Sequence, residues 1–324
     1  MVRESVLSAI GNTPVVRLRK LAPEGGAQVV VKLEYYNPTG SYKDRMALAM
    51  IEGAEARGDL RPGVRVIEYT GGSTGTSLAF VCAVKGYQFL ALSSDAWAAE
   101  KIKSMRAFGA EVRMFDSEGG KVTPGLIQRL KAEAERLAAE PDTFYASQFT
   151  NRDAIAGYSA IGRELAEQVP GIAAFCGGVG SAGMLAGVSS VLKPRGCRIV
   201  ALEPDGSPVI TTGKGGPHRV EGIGAGFVPP HLKPDVYDEA RAISEAEART
   251  TARRLAREEG IFAGVSTGLN ITAALQIARE LGPDDVRRAR PQRPSTARRR
   301  ECPSPGRTRR SGCGRCLRFC RDGS

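Results

Sequence analysis

The sequence predicts an α/β protein built on two doubly wound parallel sheets, and three observations carry that prediction. From residue 64 to 286, short runs rich in β-branched and aromatic residues alternate with helical stretches, as βαβ units do. A glycine-rich loop stands between such a run and a helix in each half of this region. And 324 residues with 42% apolar and 25% charged content are enough for a large buried core.

The first clear element is a helix after residue 41. Ser41 reads as its N-cap with Asp44 following in the capping-box position, and Met46, Ala47, Met50, Ile51 and Ala54 then keep helical spacing. VRVIEY (residues 64–69) reads as a strand, followed by the loop TGGSTG and the helical TSLAFVCAVKG. QFLALS precedes the helix AAEKIKSMRAFG, and EVRMF precedes a long helix over residues 124–139. A second series runs from a helix at 153–168 through strand IAAFC, the second glycine loop and helix MLAGVSSVL to strand RIVALE. SEAE from Ser244 is a capping-box pattern that opens a helix reaching about Gly260, and another helix covers residues 269–281.

The net charge of +11 suggests a nucleic-acid binder until it is located. Thirteen of the 46 basic and two of the 35 acidic residues lie from Arg287 onward, which leaves 33 of each before it. Residues 287–324 therefore read as a disordered Arg-, Pro- and Cys-rich tail, and nucleic acid is an expected partner only through that arm. Cys302, Cys313, Cys316 and Cys320 within it do not match a paired zinc-ligand spacing, so no metal is expected. Cys82, Cys176 and Cys197 sit in apolar surroundings as reduced core cysteines. No run is long and apolar enough to span a membrane and no secretory leader opens the chain, so the cytoplasm is the expected compartment.

Lys43, in NPTGSYKDRMA (residues 37–47), falls in the first turn of the first helix. The positive end of the helix dipole disfavours an ammonium there, and a neutral amine is the nucleophile needed to condense with an aldehyde such as pyridoxal 5′-phosphate. The competing reading is an ordinary solvated lysine. A pyridoxal enzyme also needs an anion site, and a glycine loop at a helix N-terminus supplies backbone donors for one. CGGVGSAGMLAG (residues 176–187) and TGGSTG (70–75) are both placed for this. A rival exists: Gly178, Gly180 and Gly183 spell G-x-G-x-x-G, and Glu203 ends the next strand as in a dinucleotide site. That reading leaves Lys43 and the first glycine loop without a role.

NPTGSYKDRMALAMI resembles the active-lysine segment N-P-x-G-S-x-K-D-R of fold-type II pyridoxal phosphate enzymes, specifically the cysteine synthase and cystathionine β-synthase group. TGGSTG is similar to that group's T-S-G-N-T-G substrate loop, and GGVGSAGMLAG to its phosphate loop. EGIGAGFVP (221–229) and EEGIFAGVSTG (258–268) resemble further segments in the family order. The resemblance covers about residues 5–286.

It implies two doubly wound parallel-sheet lobes of the tryptophan synthase β-like kind. Residues 1–36 with 148–286 would form the large cofactor-binding lobe, and 37–147 a smaller mobile lobe. Lys43 would hold pyridoxal 5′-phosphate as a Schiff base and then move the substrate α-proton. Gly180, Ser181, Ala182, Gly183 and Met184 would wrap the phosphate, and Ser73 would stand near the ring hydroxyl where relatives carry asparagine. Thr70, Gly71, Gly72 and Thr74, with Gln148, would bind the amino-acid carboxylate. The implied activity is β-replacement of O-acetyl-L-serine by sulfide in a homodimer. A serine/threonine ammonia-lyase, an NAD-binding enzyme and a catalytically dead relative are the alternatives.

Three departures from the family pattern carry consequences. Ser73 shortens a polar side chain, while Ala182 and Met184 replace a glycine and a threonine of the phosphate loop, adding a Cβ and removing a hydroxyl. After Asp285 nothing matches the family's last strand and its serine- or threonine-bearing turn to the pyridine nitrogen. The composition there is that of a shifted reading frame in a GC-rich gene.

Overall fold

The computed structural model describes residues 2–282. Strands β1 (Val15–Arg17) and β2 (Val30–Lys32) form a small antiparallel pair. Next comes α1 (Lys43–Arg57), then β3 (Arg65–Tyr69), α2 (Ser73–Lys85), β4 (Phe89–Ser94), α3 (Ala99–Ala107), β5 (Glu111–Phe115), α4 (Pro124–Ala138) and β6 (Thr143–Tyr145). These four strands make one parallel sheet in the order β5-β4-β3-β6. The chain continues with α5 (Arg152–Gln168), β7 (Ala174–Gly178), α6 (Gly183–Leu192), β8 (Arg198–Pro204), the short α7 (Val209–Thr212), β9 (Glu239–Ile243), α8 (Glu245–Glu259) and α9 (Val265–Glu280). Here β7-β8-β9 form a second parallel sheet.

The predicted architecture of parallel sheets flanked by helices is the one observed. β4 is buried at every position, as expected of a parallel strand covered on both faces, and it reads as an apolar run rather than an alternation. β6 and β9 escape sequence reading. β6 is three half-buried residues whose strand geometry comes from pairing with β3, and β9 is a polar EARAI that pairs with β8. α1 and α8 end at Gly58 and Gly260, both left-handed, which halts the helix without a Cβ clash.

The core that positions the site is shared by the two sheets. Met46, Met50 and Ile51 of α1, Leu78 and Val81 of α2, Tyr158 and Ile161 of α5, and Leu185 and Val188 of α6 belong to one buried cluster. Burial pushes the thiols of Cys82, Cys176 and Cys197 up to about 12, and none is in a disulfide, as expected of core cysteines. Among the described residues no helix is long and apolar enough to cross a membrane, and no cluster of metal-ligand side chains occurs. The expected reading-frame change, the four tail cysteines and the arginine-rich arm lie outside the described residues.

Candidate active site

The segment 37–47 is a knot of buried polar groups, each with a partner. The Asn37 side chain accepts from the Gly11 amide at 2.9 Å and donates to Glu34. Arg45 lies between Glu34 at 2.8 Å and Glu164 at 2.6 Å, and Lys32 adds a second cation on Glu164. These partners pull the Glu164 carboxyl down to about 2 although burial opposes them. Helical geometry begins at Lys43 with Tyr42 as the flanking residue, and Ser41 Oγ accepts from the Lys43 amide at 3.1 Å, so the predicted serine holds the first amide of the helix end. The Asp44 carboxylate reaches away from it, accepting from the Thr39 amide and hydroxyl and from Ser77 Oγ at 2.6 Å. Tertiary contacts with α2 outcompete the local capping box.

The Asp44–Ser77 bond fastens the start of α1 to the first turns of α2, the helix that follows the first glycine loop. Lys43 differs from its neighbours: it is 9% exposed, and Nζ has no carboxylate partner among the described residues. Its amine donates to the Tyr42 hydroxyl at 3.2 Å and stands 4.4 Å from the centre of that ring and 5.8 Å from that of Tyr158.

Tyr158 is the hinge between the lysine and the second glycine loop. Its ring also lies where a Cβ on Gly183 would be 3.2 Å away, at the start of α6. No side chain caps α6, so its first-turn amides are left for an anion. The loop before it is held from three sides. Asn270 Oδ1 accepts from the Gly178 amide at 2.8 Å, the Gly224 amide donates to Val179, and a Cβ on Gly180 would meet the Gly222 carbonyl at 2.5 Å. The EGIGAG stretch is therefore the backbone floor of the second glycine loop, and His218 braces it through Nε2 to the Gly224 carbonyl at 2.8 Å. Ala182 takes the left-handed conformation, φ 64°, so the substitution for glycine puts a Cβ where positive φ is required.

The first glycine loop has its own geometry. α2 begins at Ser73 after Gly72, again without a side-chain cap, and the Ser73 hydroxyl has no partner among the described residues. Thr70 Oγ1 accepts from the Gly75 amide at 3.2 Å, which folds the loop back on itself. Thr74 Oγ1 donates to Gln148 Oε1 at 2.8 Å, so Thr70, Gly71, Gly72, Thr74 and Gln148 are brought together. Met184 is half-buried below the other loop, packed against Gly177.

Sequence reading missed several residues that shape this region. Tyr42 and Tyr158 are aromatic walls, and Tyr158 is fully buried. Glu68, at the end of β3, accepts from the Gln148 amide at 3.0 Å and is fully buried, and desolvation pushes its carboxyl up to about 8. His231 is buried with Nε2 unpartnered among the described residues, and burial lowers its affinity for a proton. Helical spacing marks Tyr158 as a core position, but nothing local tells Glu68 from an exposed strand acid. Glu203, the acid of the rival dinucleotide reading, is turned inward: its oxygens accept from the Ile210 and Thr211 amides and the Thr211 hydroxyl, capping α7.

The family model described as pyridoxal-phosphate dependent enzyme matches residues 6–287. A cysteine synthase of Staphylococcus aureus strain Mu50 is 43% identical over 284 residues, covering 86% of this chain and 90% of that protein. A probable cysteine synthase of Bacillus subtilis strain 168 is 42% identical over the same shares. Among solved structures, an O-ureido-L-serine synthase superposes with a TM-score of 0.80 at 37% identity, covering 87% of this chain and 90% of the other. A cysteine synthase from Entamoeba histolytica follows at 0.79 and 34%, covering 86% and 83%. The chain belongs to the family of pyridoxal-phosphate-dependent enzymes.

Proposed function

We propose that the protein is a cysteine synthase-like β-replacement enzyme that converts O-acetyl-L-serine and sulfide to L-cysteine and acetate. One observation carries the reading: a buried lysine amine without a carboxylate partner lies beside the same tyrosine ring that packs on an uncapped, glycine-lined helix N-terminus. The residues present fit pyridoxal phosphate. Gly180 and Gly183 leave room that a side chain would fill, and the α6 amides are donors suited to its phosphate.

When bound, the cofactor supplies an electron-accepting ring that lets the α-proton and the β-substituent of an amino acid leave. The backbone of residues 180–184 would hold its phosphate, and the Ser73 hydroxyl would be a polar partner for its ring. Thr70, Gly71, Gly72, Thr74 and Gln148 orient the substrate carboxylate, with the Thr74–Gln148 bond setting the side-chain amide so that its N–H groups are free to donate. The Lys43 amine would take the proton from the substrate Cα, and the rings of Tyr42 and Tyr158 keep water from it. The smaller lobe, residues 37–147, closes over the amino acid, and the protein works as a homodimer in the cytoplasm.

The test is direct. Protein purified with vitamin B6 shows a visible absorption band that Lys43→Ala abolishes, and O-acetyl-L-serine with sulfide yields cysteine. Ammonia and a keto acid from threonine alone would instead make it an ammonia-lyase, and a colourless folded protein would sink both readings.

A further inference from the structure

The substrate loop carries glycine at position 71, where the T-S-G-N-T-G pattern has serine, and the reason lies across the sheet. A Cβ built on Gly71 would fall inside the indole of Trp97, on its Cγ and Cδ2. No flexible side-chain end is involved: the obstacle is the fused ring itself. Trp97 comes from the segment between β4 and α3, and that segment is held in place. The Trp97 amide donates to the Ser94 carbonyl at 3.3 Å, the Ala96 amide to Ser94 Oγ at 3.3 Å, and Asp95 accepts from the Ser117 amide at 2.8 Å. The indole is half-buried against the core cluster to which Leu90, Leu92 and Leu126 belong and makes no hydrogen bond among the described residues.

We infer that Trp97 is a positioning residue for the amino-acid carboxylate: its indole, rather than a side chain at position 71, supports the Gly71–Gly72 backbone and supplies an apolar wall over the substrate loop. The inference rests on reading residues 70–74 as the carboxylate loop, and it goes further by assigning the support of that loop to a residue from another element. Two consequences follow from the geometry. Side chains at positions 71 and 97 exclude each other, so their substitutions are coupled rather than additive. And as the only tryptophan in the chain, Trp97 reports the state of the loop by its emission.

The experiment uses holoenzyme with O-acetyl-L-serine and sulfide. Trp97→Ala should raise KM for O-acetyl-L-serine about tenfold with kcat within about twofold, and Trp97→Phe should recover most of the loss. Gly71→Ser should lower both melting temperature and affinity in the wild-type background yet be neutral or restorative in Trp97→Ala. Tryptophan emission of the wild type should change in intensity or wavelength as O-acetyl-L-serine is added. Melting curves of the cofactor-free variants supply the same coupling without turnover. Additive effects of the two substitutions on melting temperature, or an unchanged KM in an active Trp97→Ala enzyme, would overturn the inference while leaving the proposed activity intact. A wild-type holoenzyme without turnover on O-acetyl-L-serine would count against the activity instead, and the melting-temperature cycle would still decide the contact.

Discussion

Replacing Glu68 by glutamine should remove a pH dependence from the stability of this protein. The carboxyl lies at the end of β3 and is 0% exposed. One oxygen accepts from the Gln148 amide at 3.0 Å, and the other is buried with no partner among the described residues. Loss of hydration is the larger effect and the nearby amides the smaller one, so the folded-state pKa rises from the ordinary 4.5 to about 8. The sign follows directly. Between these values the folded chain keeps a proton that the unfolded chain has released, so stability falls as pH rises through the window. At about 1.4 kcal/mol per pH unit, the interval from 4.5 to about 8 sums to roughly 5 kcal/mol. Glutamine keeps the shape and the acceptor for the Gln148 amide but has no charge to bury. Thermal and urea unfolding of cofactor-free wild type and Glu68→Gln should therefore agree near pH 5 and diverge by pH 8.5. There the variant should be more stable by several kcal/mol, or on the order of 10 °C. Other titrating groups, His231 included, are common to both proteins and drop out of the difference. Parallel stability curves from pH 5 to 8.5, or a variant that is less stable at the alkaline end, would refute the reasoning.

Two further substitutions probe the frame around the site. Arg45→Met leaves Glu34 and Glu164 without their shared cation and should cost about 3–5 kcal/mol in urea unfolding, because a buried pair is broken from one side. In the wild type, the stability that Glu164 contributes is present above its ordinary 4.5 and should be lost as pH falls toward about 2, which acid titration of circular dichroism will follow. Gly187→Ala puts a methyl 2.7 Å from both the Ile155 carbonyl and Tyr158 Cβ. Separating α5 from α6 should destabilise the protein by about 1–3 kcal/mol and weaken cofactor retention, read from the visible band after dialysis.

The elements of the candidate site were legible in the sequence because each is a local pattern. A lysine at a helix start and a glycine loop between strand and helix are written within a dozen residues, and the backbone geometry they impose is local too. Helix starts at Ser244 and near Pro124 were equally plain, since Ser244 and Thr123 cap their helices through their own side chains. At Ser41 only half of the capping box formed: Ser41 Oγ accepts from the Lys43 amide, while Asp44 found Thr39 and Ser77 instead. A buried carboxylate takes the best donors within reach, and Ser77 is far away in sequence.

By itself, the chain determined the alternation of strands and helices, a lysine at the start of α1 and two glycine turns at helix N-termini, all of which follow from periodicity and from what glycine permits. Only the folded molecule decided that Tyr158 joins Lys43 to the α6 turn, that Glu68 is shut away from water, that Glu203 caps α7, and that Trp97 fills the space above Gly71. Each of these depends on packing between segments distant in sequence, and burial and steric exclusion exist only once those segments have met.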